Sequence, residues 1–270
     1  MKNLISSASL LSGESHGAAA EPTGKAREIA PTGTLRVGVV EAPSRGVFFV
    51  ARDRPDEPVR GVTVDLGAKL ADQLGIPVCY NVFPNSGACT EALHQGDIDV
   101  AFMPVDSLRA SQVAFGPTYF LLESTYLVSG PSGIRHLAEV DRPGVRVVGI
   151  VNTTTIRAAT RTLTHTIPTP IPNVEAAFQA MLKGQADAVA LSRDSLAPLL
   201  TAMPGSCIVA GGFQQTAVSI AVPPARPAAL EFVNYFLENA KSDGTVRRIF
   251  DSWGLQDEVV APAGQWTLAR

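Results

Sequence analysis

Gly13-Glu14-Ser15-His16-Gly17 matches the G-x-S-x-G pattern in which a strained strand-to-helix turn presents a serine nucleophile. No strand-like run precedes it, so the match is read as accidental. The four histidines, His16, His94, His136 and His165, lack the H-x-x-x-H or H-E-x-x-H spacing that would put two imidazoles on one helix face. The three cysteines, Cys79, Cys89 and Cys207, form no C-x-x-C. The chain is therefore expected to use no metal and no cofactor. Three thiols cannot build a disulfide framework; at most one bridge can form, and Cys79 with Cys89 is the only local pair. Lysine and arginine total 22 against 25 acidic residues, a net charge of -3, which gives no basic field for a polyanion and argues against nucleic acid as a partner.

Whatever chemistry exists must be positioned by a folded chain of 270 residues, 46% hydrophobic and 17% charged, long enough for one large or two modest units. Apolar runs such as Phe48–Ala51 and Leu199–Met203 are far shorter than the ~20 residues needed to cross a bilayer. Residues 1–32 begin Met1-Lys2-Asn3, continue with a weak apolar stretch from Leu4 to Leu11 and contain Ala18-Ala19-Ala20. That pattern fits either a secretory signal or a disordered tail.

From Thr34 the pattern changes. Leu35–Val40 and Val145–Val151 are short β-branched runs that read as buried strands. Ala92-Leu93-His94-Gln95-Gly96-Asp97-Ile98-Asp99 is echoed by Ala180-Met181-Leu182-Lys183-Gly184-Gln185-Ala186-Asp187, with alanine, glycine and aspartate in register. Each echo reads as a helix end, a glycine stop and then a strand, so the chain is expected to hold two α/β lobes built on one local plan. Helices are expected over 64–74, ended by Gly75; after Asn173 as cap, ended by Gly184; and from Pro227 to Gly244, followed by an amphipathic turn through Trp253.

The GTLRVGV start, Gly61 to Leu66, LADQLG, the L-x-x-G-x-x-D element, and Asp106-Ser107-Leu108-Arg109 leading to Phe115-Gly116-Pro117-Thr118-Tyr119 together resemble the family 3 extracellular solute-binding proteins, over roughly residues 33–255. These are the type II periplasmic binding proteins of amino-acid-type ABC importers. The resemblance implies an α/β, two-lobed periplasmic-binding-protein-like II fold with a mixed, mostly parallel sheet in each lobe, hinged by two crossover segments near Tyr126–Gly133 and Gln215–Pro223. The implied domains are a signal-like or disordered segment 1–32, lobe 1 from 33–128 plus 220–262, lobe 2 from 129–219, and a tail 263–270. It further implies a monomer in the periplasm whose partners are a small-molecule solute and the membrane permease of an ABC transporter. The solute would sit in the cleft and be enclosed by hinge closure.

Residue by residue, Arg109 matches the arginine that forks onto the ligand's carboxylate in the family. In that role it would contribute to recognition and little to stability. Thr153 and Thr154, in Asn152-Thr153-Thr154-Thr155, match the turn where a helix N-terminus meets the same carboxylate. Phe48 lies where the family places an aromatic against the ligand, and Ser86, Pro104, Ser192 and Asp194 complete the residues expected to face it. Departures are equally clear. The family's ammonium acceptor, an aspartate, is replaced by Ser192, with Asp194 two residues on; a threonine three before the arginine is replaced by Asp106; and Asn85-Ser86-Gly87 stands where an aromatic is common. The expected solute is polar, carboxylate-bearing or amino-acid-like, and held differently from a standard L-amino acid. An enzyme on the same fold, such as a cyclohexadienyl dehydratase, would need a tuned carboxylic acid, for which Asp106, Asp194 and Glu41 are the candidates. A ligand-sensing module is the third reading.

Overall fold

In the computed structural model, residues 24–41, 46–51, 54, 57–197 and 199–266 are described; Gly13–Gly17 and the proposed signal before residue 24 lie outside them. The first lobe starts from β1 (Leu35–Val40), flanked by the parallel strands β2 (Val78–Phe83) and β3 (Val100–Pro104). Leu35, Val37 and Val39 turn to one face and are fully buried. There they meet α2 (Val62–Leu74), α9 (Pro227–Ser242) and α10 (Thr245–Ser252) in one apolar cluster. Gly38 faces the other side, where α3 (Ser86–Gln95) lies so close that a Cβ would fall 2.3 Å from Ile98 Cδ1 and 2.8 Å from Cys89 Sγ. Helix α2 begins two residues before the expected 64 and ends, as the sequence predicts, on a left-handed Gly75.

The second lobe repeats the plan with β5 (Val147–Ile150) between the parallel strands β6 (Thr169–Ile171) and β7 (Ala188–Ser192). It is covered by α5 (Thr154–Thr162) on one face and α6 (Val174–Leu182) on the other. Two long antiparallel strands join the lobes, β4 (Ala114–Val128) and β9 (Gln214–Val222), so that the order runs β2-β1-β3-β9-β4-β7-β5-β6, with the short β8 (Cys207–Ile208) also paired to β4. Ser124 is the exchange point: it opposes Gln214 of β9 and Ser192 of β7.

The internal echo has a physical basis. In the first lobe Arg36 clamps Asp99 through its backbone N–H (3.0 Å), Nε (3.0 Å) and Nη2 (2.7 Å), and Nη2 also reaches the Gly96 carbonyl at 2.8 Å. In the second lobe Arg146 clamps Asp187 through its N–H (2.9 Å), Nε (2.9 Å) and Nη2 (2.6 Å), with Nη1 on the Gly184 carbonyl. The recurring glycine and aspartate are therefore the acceptors by which a fork-shaped guanidinium at the start of the central strand ties down the loop after a helix.

Four sequence expectations shift. Residues 24–32 are not all tail: Gly24–Ile29 form a short helix, α1, whose Ala26 and Ile29 are buried, with Ala30, in the first-lobe core. Nor is 263–266 loose, since Gln265 accepts from Thr118 N–H at 3.3 Å and Gly264 donates to Glu238; only 267–270 lie outside the described residues. Pairing of 124–128 with β7 places the exchange between lobes about Ser124 and Gln214, ahead of the expected boundaries at 129 and 220. Cys79 and Cys89 are unpaired, the first exposed on β2 and the second on the buried face of α3, and Cys207 is free as well.

The two clamps differ in environment. The Asp99 side chain is fully buried and also accepts from Arg226 Nη1 at 2.8 Å, whereas Arg146 is half exposed. Asp99→Ala should therefore cost about 3 kcal/mol, since it leaves the partly buried guanidinium groups of Arg36 and Arg226 without their shared carboxylate, and Asp187→Ala about 1 kcal/mol or less. Urea denaturation of both variants measures this; equal losses would contradict it.

Candidate functional site

The lobes face each other across the C-terminal ends of β1, β3, β5 and β7, where they border a cavity of about 80 Å³ that is partly open to solvent. The first lobe contributes Glu41, Phe49, Asn85, Ser86 and Pro104 to its wall. The second contributes Ile150, Thr153–Thr155, Asn173, Ser192 and Ser195. Among the described residues, the polar lining apart from Glu41 consists of hydroxyl and amide side chains.

Helix α5 points its N-terminus at this space. Thr153 caps it, its Oγ1 accepting from Ile156 N–H at 3.2 Å and donating to the Ile150 carbonyl at 2.8 Å. The first N–H groups of a helix have no acceptor within it, and its dipole favours an anion there. Asn152, immediately before the cap, has φ 61, a left-handed conformation that asparagine tolerates better than most residues. Opposite, Asn85 caps α3 by accepting from Ala88 N–H at 2.9 Å, which brings Ser86 to the wall. The hydroxyls of Ser192 and Ser195 are 2.8 Å apart, and Ser195 also donates to Asp194 Oδ2 at 3.3 Å.

Of the expected site residues, Ser86, Pro104, Thr153, Thr154 and Ser192 reach the cavity. Phe48 does not: it is buried in the first-lobe core, with ring centroids 4.1 Å from Phe120 and 5.0 Å from Phe49. Its neighbour Phe49, in the bend over 47–49, takes the cavity-facing place. Asp194 stands one residue outside the wall, beside Ser195. Burial is the largest influence on its carboxyl and raises its pKa, against the opposing hydrogen bonds from Ser192 and Ser195.

Arg109 also stands behind the wall. Its guanidinium, 3% exposed, sends Nη1 to the Pro104 carbonyl (2.9 Å) and Nη2 to Ser86 Oγ (2.7 Å) and the Asn152 carbonyl (3.1 Å). Pro104 and Ser86 separate it from the cavity, and it borders a second, more polar space on the outer side of the lobe contact, with Gln112 and Arg157. Burial, followed by the opposing pull of Asp106 and the repulsion of Arg157, brings its pKa down to about 10. Asp106 caps α4 (Ser107–Ala110), accepting from Arg109 N–H at 3.0 Å, and its Oδ2 pairs with Arg157 of α5. The carboxylate expected to face the solute is thus taken by an arginine of the other lobe. With four contacts to the protein, Arg109 also carries structural weight that its sequence context did not suggest.

The chain matches the family described as bacterial extracellular solute-binding proteins, family 3, over residues 47–256. No curated protein matches it. Among solved structures, an ancestral arginine-binding protein bound to glutamine is 28% identical, covers 83% of this chain and 98% of its own, and superimposes with a TM-score of 0.71. An ancestral amino acid-binding protein described as a precursor of cyclohexadienyl dehydratase is 26% identical, over 84% of this chain and 98% of its own, with a TM-score of 0.72. A P235GK mutant of ArgBP from T. maritima, 23% identical over 85% of this chain and 99% of its own, with a TM-score of 0.73, shares the fold.

Asp194 offers a test of the wall. A carboxyl raised by burial disfavours the folded state once pH exceeds the ordinary carboxylate value, whereas below it both states are protonated and the penalty vanishes. Asp194→Asn should raise the melting temperature at pH 7 by about 2 °C or more. The gain should disappear on acidification below the ordinary value; scanning calorimetry across pH measures it, and a loss at neutral pH would contradict it.

Proposed function

We propose that this chain, which belongs to the bacterial extracellular solute-binding proteins of family 3, binds a small, polar, amino-acid-like solute bearing a carboxylate in the cleft between its lobes and carries it to the permease of an ABC importer in the periplasm. The observation that carries this reading is the juxtaposition of the N-terminus of α5, with Thr153–Thr155, and Ser86, whose oxygen is held by Arg109, on facing walls of one cavity. A helix N-terminus and a hydroxyl backed by a guanidinium suit a carboxylate. Ser86 Oγ accepts from Arg109, so its own O–H is left to donate into the cavity. The neighbouring structures, described as arginine-binding and as bound to glutamine, support amino-acid chemistry.

Asp194, its carboxyl raised beside cavity-lining Ser195, favours a second reading in which the same fold acts as a dehydratase, as does the likeness to a structure described as a dehydratase precursor. The two readings separate cleanly. A melting-temperature increase with L-arginine, L-glutamine or another amino acid, without consumption of the compound, supports the receptor. Turnover of prephenate or arogenate supports the enzyme, and silence across the amino acids counts against the receptor.

Two variants probe the geometry. Arg109→Ala should weaken a responding carboxylate solute at least about tenfold. It should also lower the melting temperature of the empty protein, since Ser86 and the Pro104 and Asn152 carbonyls lose a buried partner. Gly87→Ala places a Cβ 2.7 Å from Asn152 Cβ on the opposite lobe, so it should weaken binding and, by straining the Arg109 bond to the Asn152 carbonyl, lower the melting temperature less than Arg109→Ala does. Calorimetric titration and thermal scans check both.

A further inference from the structure

Asp106, Arg109 and Arg157 form a charged group divided between the lobes. Arg109 and its helix cap Asp106 belong to the first lobe, and Nη1 of Arg109 lies 3.3 Å from Asp106 Oδ2. Arg157, on α5 of the second lobe, gives its Nη2 to that same oxygen. In the first lobe alone Arg109 and Asp106 cancel. Once α5 arrives, the group carries one net positive charge, and Arg109, with Nη2 on Ser86 Oγ, is the member that touches the cavity wall. Two other carboxylates lie nearby: Glu91, at the exposed rim of the outer space, accepts from Gln95 Nε2, and Glu41 stands on the first-lobe wall of the cavity.

We propose that Arg157 is a specificity-determining residue that acts through Asp106: by engaging this carboxylate as the lobes close, it leaves the charge of Arg109 uncompensated behind Ser86, so that the closed cleft selects a solute with an anionic group. This rests on the reading of the cavity as a carboxylate site. Charge that is assembled by closure works twice. It discriminates an acid from its neutral amide, and it makes an anion in the cavity favour the closed arrangement, since a ligand shifts an equilibrium only by its differential affinity for the two states. The Asp106–Arg157 pair and the Arg109 bond to the Asn152 carbonyl also hold the lobes together before any solute arrives.

The test compares L-glutamine and L-arginine with their carboxamides by calorimetry in wild type and variants. Arg157→Ala should reduce the preference for acid over amide about tenfold, and Arg157→Lys should retain most of it. Asp106→Asn added to Arg157→Ala should restore the preference, because an asparagine caps α4 as the aspartate does while removing the charge that cancels Arg109. An unchanged preference in Arg157→Ala, or no recovery in the double variant, overturns the proposal. A second measurement needs no solute. Spin labels on Cys79 and Cys207, one exposed and one half-buried on opposite lobes, report closure while Cys89 is buried. Arg157→Ala should show a second, broader distance population; a distribution identical to wild type overturns the proposal. Should wild type bind neither acids nor amides, the carboxylate reading fails, and the label distances still decide whether Arg157 holds the lobes.

Discussion

A guanidinium taken out of water must find an acceptor for nearly every N–H it presents, and the way Arg109 meets that demand organises the cleft. Its acceptors come from the end of β3 (the Pro104 carbonyl), the start of α3 (Ser86), its own helix cap (Asp106) and the turn before α5 on the other lobe (the Asn152 carbonyl). No single element could supply them. Displacing either lobe removes at least one, so a local hydrogen-bonding requirement becomes a constraint on how the lobes sit. The left-handed Asn152 fits this picture, because its conformation leaves the carbonyl free to accept across the cleft.

Much of the frame was legible in the residues. The β-branched runs at Leu35–Val40 and Val145–Val151, the glycine stops at Gly75, Gly96 and Gly184, and the Asn173 cap recur as elements within a few residues of their expected ends. Each is a local decision, made by φ freedom, a capping oxygen or side-chain alternation. The repeated glycine-to-aspartate spacing was visible too, but its cause was not. Arg36 and Arg146 lie 63 and 41 residues from the carboxylates they hold, and only the parallel packing of strand and loop joins them.

The site was legible by position more than by contact. Ser86, Pro104, Thr153, Thr154 and Ser192 were expected at the cleft and reach it. Phe48 and Phe49 show why a register of one residue matters: the first fills the core against Phe120 and Phe250 and the second faces the cavity. With the segment before them poorly marked by periodicity, nothing in the residue types alone told one from the other. Thr155, Asn173 and Ser195 were missed as wall residues. The first two look like ordinary helix-start chemistry, and the third becomes visible only once α7 (Arg193–Leu196) turns it inward.

The greatest change concerns charge. From the residues alone, Asp106 beside Arg109 was a puzzle, a carboxylate where an anionic solute should be welcome. The structure answers by supplying a third charge from 48 positions further along, since Arg157 of α5 takes the same Asp106 oxygen. Two arginines on one carboxylate leave a net positive charge, partly shielded from water by the lobe contact, where its field is screened less than on an open surface. Among the described residues the cavity wall carries no basic side chain. Under the proposed function, hydroxyls and helix N–H groups would make the contacts, and the charge behind them sits one layer back. In the proposed carboxylate site such an arrangement would keep basic side chains behind the described lining, in which Glu41 is the charged member. It also accounts for an Arg109 that is buried in the fold and separated from the cavity by Ser86 and Pro104.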